Sequence, residues 1–296
     1  MSEFEGKVVI VTGAGGGLGR AHALAFAARG ARVVVNDLGG RLDGTGGGDA
    51  ADNVVAEIKA AGGQAVANKA SVASREGAKS VVADAVSAFG TVDILVNNAG
   101  NLRDKSFKNM TPDDFDAVLD VHLRGTGYVT NAVWPILVAK NWGRVVFTSS
   151  TSGIFGNFGQ ANYGAAKMGM IGLMNVLAIE GVSKNVKVNC LAPGAATRMT
   201  ASVPGSSFSS GAPPLAMDPA LVSPAVLYMC SEAAPTGHVI HAAGGRFSRT
   251  QTFANEGIAL DPANATYEAL LARIDEVVDM SKAVGRNPTE RPARRR

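Results

Sequence analysis

Short apolar runs alternate along the chain with longer segments in which apolar positions recur at helical spacing. The apolar runs predict strands at 7–11, 31–36, 64–67, 92–96, 143–148, 186–191 and 237–241. The segments between them predict helices at about 18–29, 50–61, 75–89, 112–139, 161–181 and 219–231. This alternation predicts an α/β fold with a Rossmann-type, doubly wound parallel sheet and helices on both of its faces. Ligands of such a sheet bind at the carboxyl ends of its strands.

The alternation ends near residue 249, so we predict one Rossmann domain over 1–249 and a C-terminal extension over 250–296. An apolar stripe predicts a single amphipathic helix at 264–280. The stripe could cover the domain itself, close a substrate pocket or meet a second subunit. The basic segment after Gly285 is predicted to be disordered. The residues of the stripe are Tyr267, Leu270, Leu271, Ile274, Val277 and Val278.

Two loops interrupt the alternation. Residues 39–50 form a glycine-rich insertion after the second predicted strand, and residues 200–219 are rich in Gly, Ser and Pro. The second loop is long enough to be a mobile lid over a substrate, with disorder as the alternative.

Composition and charge exclude several classes of protein. Hydrophobic residues make up 46% of the 296 residues, enough to bury a full core, but no apolar run reaches 18, so we expect no membrane span. The net charge of +3 is small, and the tail after Gly285 accounts for it, which gives no case for a nucleic-acid surface. Cys190 and Cys230 form no metal or redox motif. His238 and His241 lie on opposite faces of a predicted strand, so no metal site is expected.

A glycine-rich turn follows the first predicted strand and precedes the first helix. In this context Gly13 permits a tight turn, Gly17 lets the backbone approach a pyrophosphate, and Gly19 allows close packing of the helix. The N-terminus of the helix then faces the anion. The segment predicts a phosphate cradle for a dinucleotide.

Asp37 ends the second predicted strand, 18 residues after Gly19. A carboxylate there accepts hydrogen bonds from the ribose hydroxyls of adenosine and repels a 2′-phosphate, which favours NAD over NADP. Arg41 and Arg20 are expected nearby and could oppose this preference.

Ser150, Tyr163 and Lys167 together can move a proton to or from an alcohol. Tyr163 and Lys167 are spaced i, i+4 in a predicted helix, so they share a face and the ammonium can lie near the phenol. A fixed cation stabilises the phenolate, and lowering its pKa by one unit takes about 1.4 kcal/mol. Ser150 would orient the substrate oxygen.

Four motifs, in this order and spacing, resemble the short-chain dehydrogenase/reductases over about residues 4–247. They are TGAGGGLG (12–19), NNAG (97–100), Ser150 with Tyr163 and Lys167, and APG (192–194). Further segments are similar to the (3R)-hydroxyacyl-CoA dehydrogenase branch found in peroxisomal multifunctional enzymes of type 2. These segments are NDLGG (36–40), VHLRG (121–125), SGIFGNFGQANY (152–163) and APGAATRMT (192–200).

The resemblance implies roles for individual residues. Tyr163 is similar to the general acid/base of the family, Lys167 to the residue that lowers its pKa and holds the nicotinamide ribose, and Ser150 to the residue that binds the reacting oxygen. His122 stands where the wider family has a relay asparagine, and either a proton relay or a buried structural histidine fits it. The family's acidic residue after the third strand is replaced by Ala70, which leaves adenine recognition to Ser71 and Val72. The other implied cofactor contacts are Leu18, Asn98, Ala99, Gly100, Pro193, Gly194, Ala196 and Thr197.

We therefore expect an NAD-dependent oxidation of a secondary alcohol. The resemblance favours a (3R)-3-hydroxyacyl-CoA, fatty or with a sterol-derived side chain. A 17β-hydroxysteroid dehydrogenase, a reductase of 3-ketoacyl carrier-protein thioesters and a non-catalytic NAD-binding sensor are the alternatives. A small-molecule substrate, a homodimer or homotetramer and a cytoplasmic location are also expected. The chain ends in three arginines rather than in a peroxisomal Ser-Lys-Leu signal, which favours the cytoplasm.

Overall fold

The computed structural model describes residues 2–197 and 217–289, and its core is a mixed sheet of eight strands. The strands lie in the order β3-β2-β1-β4-β5-β6-β7-β8, and all neighbours are parallel except β7 and β8. The strands of this sheet are β1 (Val8–Thr12), β2 (Arg32–Asn36), β3 (Gln64–Asn68), β4 (Ile94–Asn97), β5 (Gly143–Thr148), β6 (Val186–Gly194), β7 (Val239–Ala243) and β8 (Arg246–Thr250).

Helices cover both faces of the sheet. Side chains alternate along each strand, so in β1 Val9 and Val11 point to one face while Val8 and Ile10 point to the other. The first face packs against α1, α2 and α8, and the second packs against α3, α5 and α7. These helices are α1 (Gly17–Ala27), α2 (Ala50–Ala60), α3 (Arg75–Phe89), α4 (Pro112–Leu119), α5 (Gly125–Lys140), α6 (Thr151–Phe155), α7 (Ala161–Gly181) and α8 (Ser223–Cys230). Single 3-10 turns lie at Phe107–Asn109, Val182–Lys184, Pro219–Val222 and Pro262–Asn264.

The predicted Rossmann-type sheet is confirmed, with one addition at its edge. The strand β8 runs antiparallel to β7 and was not predicted. Four of its five residues are exposed, so it lacks the buried apolar run that revealed the other strands.

The segment predicted as one helix over 112–139 consists of two α-helices separated by a π-helical turn. Thr111 starts α4 with a capping box to Asp114, the π turn spans Asp120–Arg124, and Gly125 begins α5. A Cβ atom at Gly125 would lie 3.0 Å from a methyl of Val72, so the glycine lets α5 pack closely against the loop after β3. The turn carries His122 on its inner side, where it is buried.

The prediction of a single amphipathic helix over 264–280 is wrong. Up to residue 289, the extension contains two short helices, α9 (Tyr267–Leu271) and α10 (Ile274–Val278), and a small antiparallel pair of β9 (Thr252–Ala254) with β10 (Val284–Arg286). The apolar stripe does not pack on its own domain, since Tyr267 is 70% exposed and Val278 63% exposed. The predicted domain boundary at 249 stays a prediction. Residues 198–216, which include most of the predicted lid, and the basic end from 290 lie outside the described residues.

One segment, Ala161–Lys184, is long and apolar enough to cross a membrane, with a mean hydropathy of 1.3. This is weak evidence for a span, because core helices of the same length and composition meet the same criterion. The helix α7 in this segment packs against β6, and its residues Lys167, Met170 and Met174 are buried.

Candidate functional site

The glycine-rich turn between β1 and α1 is closely packed against the loop after β4. Gly13 has a φ of +64°, and a Cβ atom there would lie 2.6 Å from Ala99 Cα. At Gly19 a Cβ atom would lie 2.1 Å from the carbonyl oxygen of Gly13. The side chain of Asn98 donates to the carbonyls of Thr12 and Gly13 at 3.1 Å each. A larger residue at either glycine would force the turn away from the backbone it packs against, and Asn98 holds the shape of the turn.

The Asp37 carboxylate is fixed by two backbone amides. Oδ2 accepts from Gly15 N at 2.8 Å, and Oδ1 accepts from Gly39 N at 2.7 Å. A Cβ atom at Gly15 would lie 2.8 Å from Asp37 Cγ, so this position also requires a glycine. The carboxylate keeps lone pairs for further donors and faces the same cavity as Gly13.

Ser150, Tyr163 and Lys167 meet where β5 ends and α7 begins. Ser150 caps α6 by accepting from Ser152 N at 3.1 Å, and its side chain is close enough to Tyr163 to lower the pKa of that phenol. Lys167 lies one turn after Tyr163 and is only 2% exposed. Its Nζ donates to the carbonyl oxygen of Thr148 and lies 5.3 Å from the centroid of the Tyr163 ring. The predicted shared face of the helix is therefore present.

The pKa values of Tyr163 and Lys167 differ from the expectation that a charged lysine lowers the pKa of the phenol. Burial raises the pKa of Tyr163 to about 12, while the hydrogen bond with Ser150 opposes this rise and the charge of Asp104 adds to it. Burial also lowers the pKa of Lys167 to about 7. With the pKa of its phenol raised to about 12, Tyr163 stays protonated at neutral pH in the chain by itself. A further positive charge is needed to make it a base.

His122 lies against Tyr163, with ring centroids 5.1 Å apart and planes at 84°. Its Nε2 contacts the backbone O and N of Asn101 at 2.8 and 3.1 Å, and its buried Nδ1 has no partner among the described residues. Burial, followed by the nearby Lys167 charge, lowers its pKa well below 6.5, so the ring is neutral. A Cβ atom at Gly100 would lie 2.3 Å from its Cε1, which explains the glycine at that position.

One cavity of about 470 Å³ joins these groups. Two predicted contacts are absent from its wall. Gly19 is buried behind the turn, and Ala196 donates its N–H to the carbonyl of Met217 at 2.8 Å. The predicted residues that line the cavity are Gly13, Gly17, Leu18, Asp37, Ser71, Val72, Asn98, Ala99, Gly100, His122, Ser150, Tyr163, Lys167, Pro193, Gly194 and Thr197.

Sequence reasoning missed several residues of this wall. Asn101 directly follows the NNAG motif and holds His122, and Thr148 directly precedes the Ser149–Ser150 pair and binds Lys167 through its carbonyl. Their positions beside recognised motifs were the available signal. Asn157 and Gln160 also line the wall, inside the segment GIFGNFGQANY.

The glycine-rich insertion crosses from the Asp37 end of the cavity to the loop after β4. We call residues 39–48 the strap. The carbonyl oxygen of Leu42 accepts from Leu102 N at 2.9 Å, and the Arg103 guanidinium donates to the carbonyl of Asp43 at 3.3 Å. Leu42 and Gly44 line the cavity. The strap therefore connects the adenosine end of the predicted cofactor site to the residues that position His122.

Among the described residues, no group of three or more His, Cys, Asp or Glu could hold a metal ion. His238 precedes β7 rather than lying within it, so the predicted strand began two residues too early there. His241 contacts Thr250 Oγ1 through Nε2 at 2.5 Å.

Comparison with known proteins gives concordant matches. The family described as short chain dehydrogenase matches residues 7–205. A Mycobacterium tuberculosis protein named as a short-chain type dehydrogenase/reductase is 48% identical over 288 residues, which cover 96% of this chain and 98% of that protein. Mouse peroxisomal multifunctional enzyme type 2 is 46% identical over 284 residues, covering 95% of this chain but only 38% of the mouse protein. The crystal structure of a short chain dehydrogenase from Mycobacterium avium has a TM-score of 0.81 at 42% identity, covering 93% of this chain and 96% of that one.

Proposed function

Because the chain belongs to the short-chain dehydrogenase/reductase family, an oxidoreductase family that binds nicotinamide cofactors, we propose that it oxidises a secondary alcohol with NAD. We propose a (3R)-3-hydroxyacyl-CoA, fatty or with a sterol-derived side chain, as the substrate. The observation that carries the proposal is that one cavity is lined by Ser150, Tyr163 and Lys167 and also by Asp37 and the turn glycines. The likeness to the multifunctional enzymes supports the choice of substrate, although the chain spans less than half of the mouse enzyme.

The cradle fits a nicotinamide dinucleotide. Gly13 and Gly19 let the turn pack closely on the loop after β4 and on the start of α1, Gly13 and Gly17 line the cavity, and the amide-rich start of α1 suits a pyrophosphate. Asp37 would accept the ribose hydroxyls, while Lys167 would hold the second ribose. When bound, the oxidised cofactor supplies the hydride acceptor and a positive charge.

The protein's own groups handle the proton and the oxygen of the alcohol. Ser150 Oγ holds the substrate oxygen, and Tyr163 Oη, deprotonated in the charged site, removes the hydroxyl proton. Ser150 then donates to the developing alkoxide. Lys167 adds positive charge near the phenolate, and the Thr148 carbonyl keeps its ammonium in place. His122 is neutral and packed on the Tyr163 ring, and Nδ1 is the atom through which it would join a proton relay.

The preference for NAD over NADP follows from the charges around Asp37. A 2′-phosphate would meet a carboxylate that Gly15 and Gly39 hold in place. Arg20, one of the two arginines that could neutralise the phosphate, forms a salt bridge with Glu57 at 2.5 Å. Arg41, which lines the cavity, is the cation that would temper the preference.

The test is a panel of (3R)- and (3S)-3-hydroxyacyl-CoA thioesters and 17β-hydroxysteroids, each with NAD or NADP, followed by the absorbance of the reduced cofactor. We expect turnover of the (3R)-thioesters with NAD. Faster turnover of a free steroid alcohol would move the function to steroid oxidation. Cofactor binding without turnover of any alcohol would identify a non-catalytic sensor.

We also propose a homodimer or homotetramer in the cytoplasm. The outer face of α7 is apolar and exposed, with Val176 52% and Ile179 56% exposed, and the stripe of the C-terminal extension is exposed as well. A second copy of the chain would cover such surfaces. Analytical ultracentrifugation measures the assembly, and a monomer at micromolar concentration would contradict it.

A further inference from the structure

Three polar side chains form a hydrogen-bonded series from the loop after β4 to the cavity wall. Gln160 Nε2 donates to Asp104 Oδ2 at 2.6 Å, and Asn157 Nδ2 donates to Gln160 Oε1 at 3.0 Å. Gln160 is 5% exposed, whereas Asn157 is exposed. Asn157 and Gln160 line the cavity that contains Ser150 and Tyr163. We call Asp104, Gln160 and Asn157 the amide relay.

The carboxylate at one end sets the direction of every bond in the amide relay. An ionised carboxylate can only accept hydrogen bonds, so Gln160 must turn its NH₂ group toward Asp104. Its carbonyl oxygen therefore faces Asn157, which must donate its own NH₂ group. The carbonyl oxygen of Asn157 is then left for other donors. Without Asp104, either amide could rotate by half a turn, and the wall could present a donor instead.

The backbone around the amide relay is held firmly in place. Gln160 N donates to Asn157 O at 3.3 Å, which closes a β-turn in which Gly159 has a φ of +81°. Lys105 N donates to Gly159 O at 2.9 Å and ties this turn to the Asp104 loop. Asn162 Nδ2 strengthens the same junction by donating to Arg103 O at 3.1 Å. Tyr163 follows in the first turn of α7, so the amide relay and the proposed base share one rigid support.

We propose that Asn157 accepts a hydrogen bond from an amide N–H in the thiol arm of an acyl thioester, and that Asp104 and Gln160 are positioning residues that fix its orientation. This inference rests on the proposed function. An acyl thioester of the proposed class offers two kinds of donor near the reacting carbon, the 3-hydroxyl and the amide groups of the thiol arm. Ser150 and Tyr163 take the hydroxyl in the interior of the cavity. The exposed position of Asn157 suits the arm that leads out of it.

The experiment compares three thioesters of one (3R)-3-hydroxy acid. The CoA thioester and the N-acetylcysteamine thioester contain an amide N–H in the arm, and the S-butyl thioester has none. Asn157→Ala should lower kcat/KM about three- to tenfold on the first two through KM, the range expected for one partly exposed hydrogen bond, and should leave the third unchanged. Asp104→Asn lets the Gln160 amide adopt either orientation. It should therefore lower kcat/KM by a smaller factor, about two- to fivefold, on the two amide-bearing thioesters only. The changed ratio between substrates is a readout that a general loss of structure would not produce.

Matched controls are Asn109→Ala and Asp113→Asn, which alter exposed residues of the same types nearby. Both should behave as the wild type on all three substrates. If Asn157→Ala lowers kcat/KM equally on the amide-bearing and amide-free thioesters, or on none of them, the proposed role of the amide relay is overturned. The proposed function then remains intact. A wild-type protein that oxidises none of the thioesters would overturn the proposed function and this inference together.

Discussion

His22 is fully buried in α1, and its ionisation should make the protein sensitive to acid. Its Nδ1 lies 2.9 Å from Ser223 Oγ at the start of α8, and its Nε2 has no hydrogen-bond partner among the described residues. Burial lowers the pKa of His22 from 6.5 to about 3. The folded protein therefore holds this ring neutral down to about pH 3, whereas the unfolded chain protonates it below 6.5.

The sign and size of the effect follow from these two pKa values. Between pH 6.5 and about 3 the unfolded state binds one more proton than the folded state, so the free energy of unfolding falls as the pH falls. The loss is about 1.4 kcal/mol per pH unit, or about 2 kcal/mol at pH 5. Above pH 6.5 this histidine contributes no pH dependence. A loss of that size is a large part of the typical stability of a domain.

Urea unfolding followed by far-UV circular dichroism, from neutral pH down to pH 4.5, measures the effect. His22→Asn keeps a hydrogen-bonding side chain near Ser223 but cannot titrate. The variant should be less stable at neutral pH, and its free energy of unfolding should fall less steeply with acid, by about 1.4 kcal/mol per pH unit. His122 is present in both proteins, so its contribution cancels in the difference. Parallel pH profiles for the two proteins would refute the reasoning.

Three further predictions address the proposed chemistry. Tyr163→Phe should reduce kcat by about 10²–10⁴-fold while NAD affinity, measured by calorimetry, stays near that of the wild type, and a variant that keeps a tenth of wild-type kcat would point to another base. Asp37→Ala should shrink the preference for NAD over NADP, measured as the ratio of kcat/KM values, and equal values in the wild type would remove the basis for the assignment. Gly19→Ala would place a Cβ atom 2.1 Å from Gly13 O, so we expect weaker cofactor binding and a loss of roughly 1–3 kcal/mol in stability by thermal unfolding, and an unchanged Kd would contradict the tight cradle.

The sequence predicted the central sheet well because its strands are buried on both sides. In β1 and β2 the valines and the isoleucine are consecutive and all buried. Such an apolar run can be recognised in the sequence without knowing which elements pack against it. The site at the carboxyl ends follows from the same topology, since Gly13, Asp37 and Ser150 each come just after a strand. Their presence in one cavity could thus be anticipated from their order in the chain.

Other features depend on packing that side-chain periodicity does not record. The π turn at Asp120–Arg124 changes the backbone hydrogen-bond register while the apolar pattern runs through it. In the extension, Arg273 adopts a φ of −123° and splits the predicted helix, and its guanidinium bonds Glu276 at the start of α10. The protonation of Tyr163 could not be inferred from spacing either, because it depends on how deeply the hydroxyl is buried and on where the Lys167 ammonium points.

Hydrogen exchange at a single backbone amide, that of Leu102, can report the opening of the strap. Its crossing is held by the amide of Leu102 bonded to the carbonyl of Leu42, and much of its remaining length is glycine. A segment with so few buried contacts opens at a small free-energy cost. The Leu102 amide should therefore exchange its hydrogen with solvent far sooner than the amides of β1, at a rate set by the fraction of time for which the strap is open. That exchange would measure how readily the wall of the proposed cofactor site opens, because Leu42 and Gly44 of the strap line the cavity.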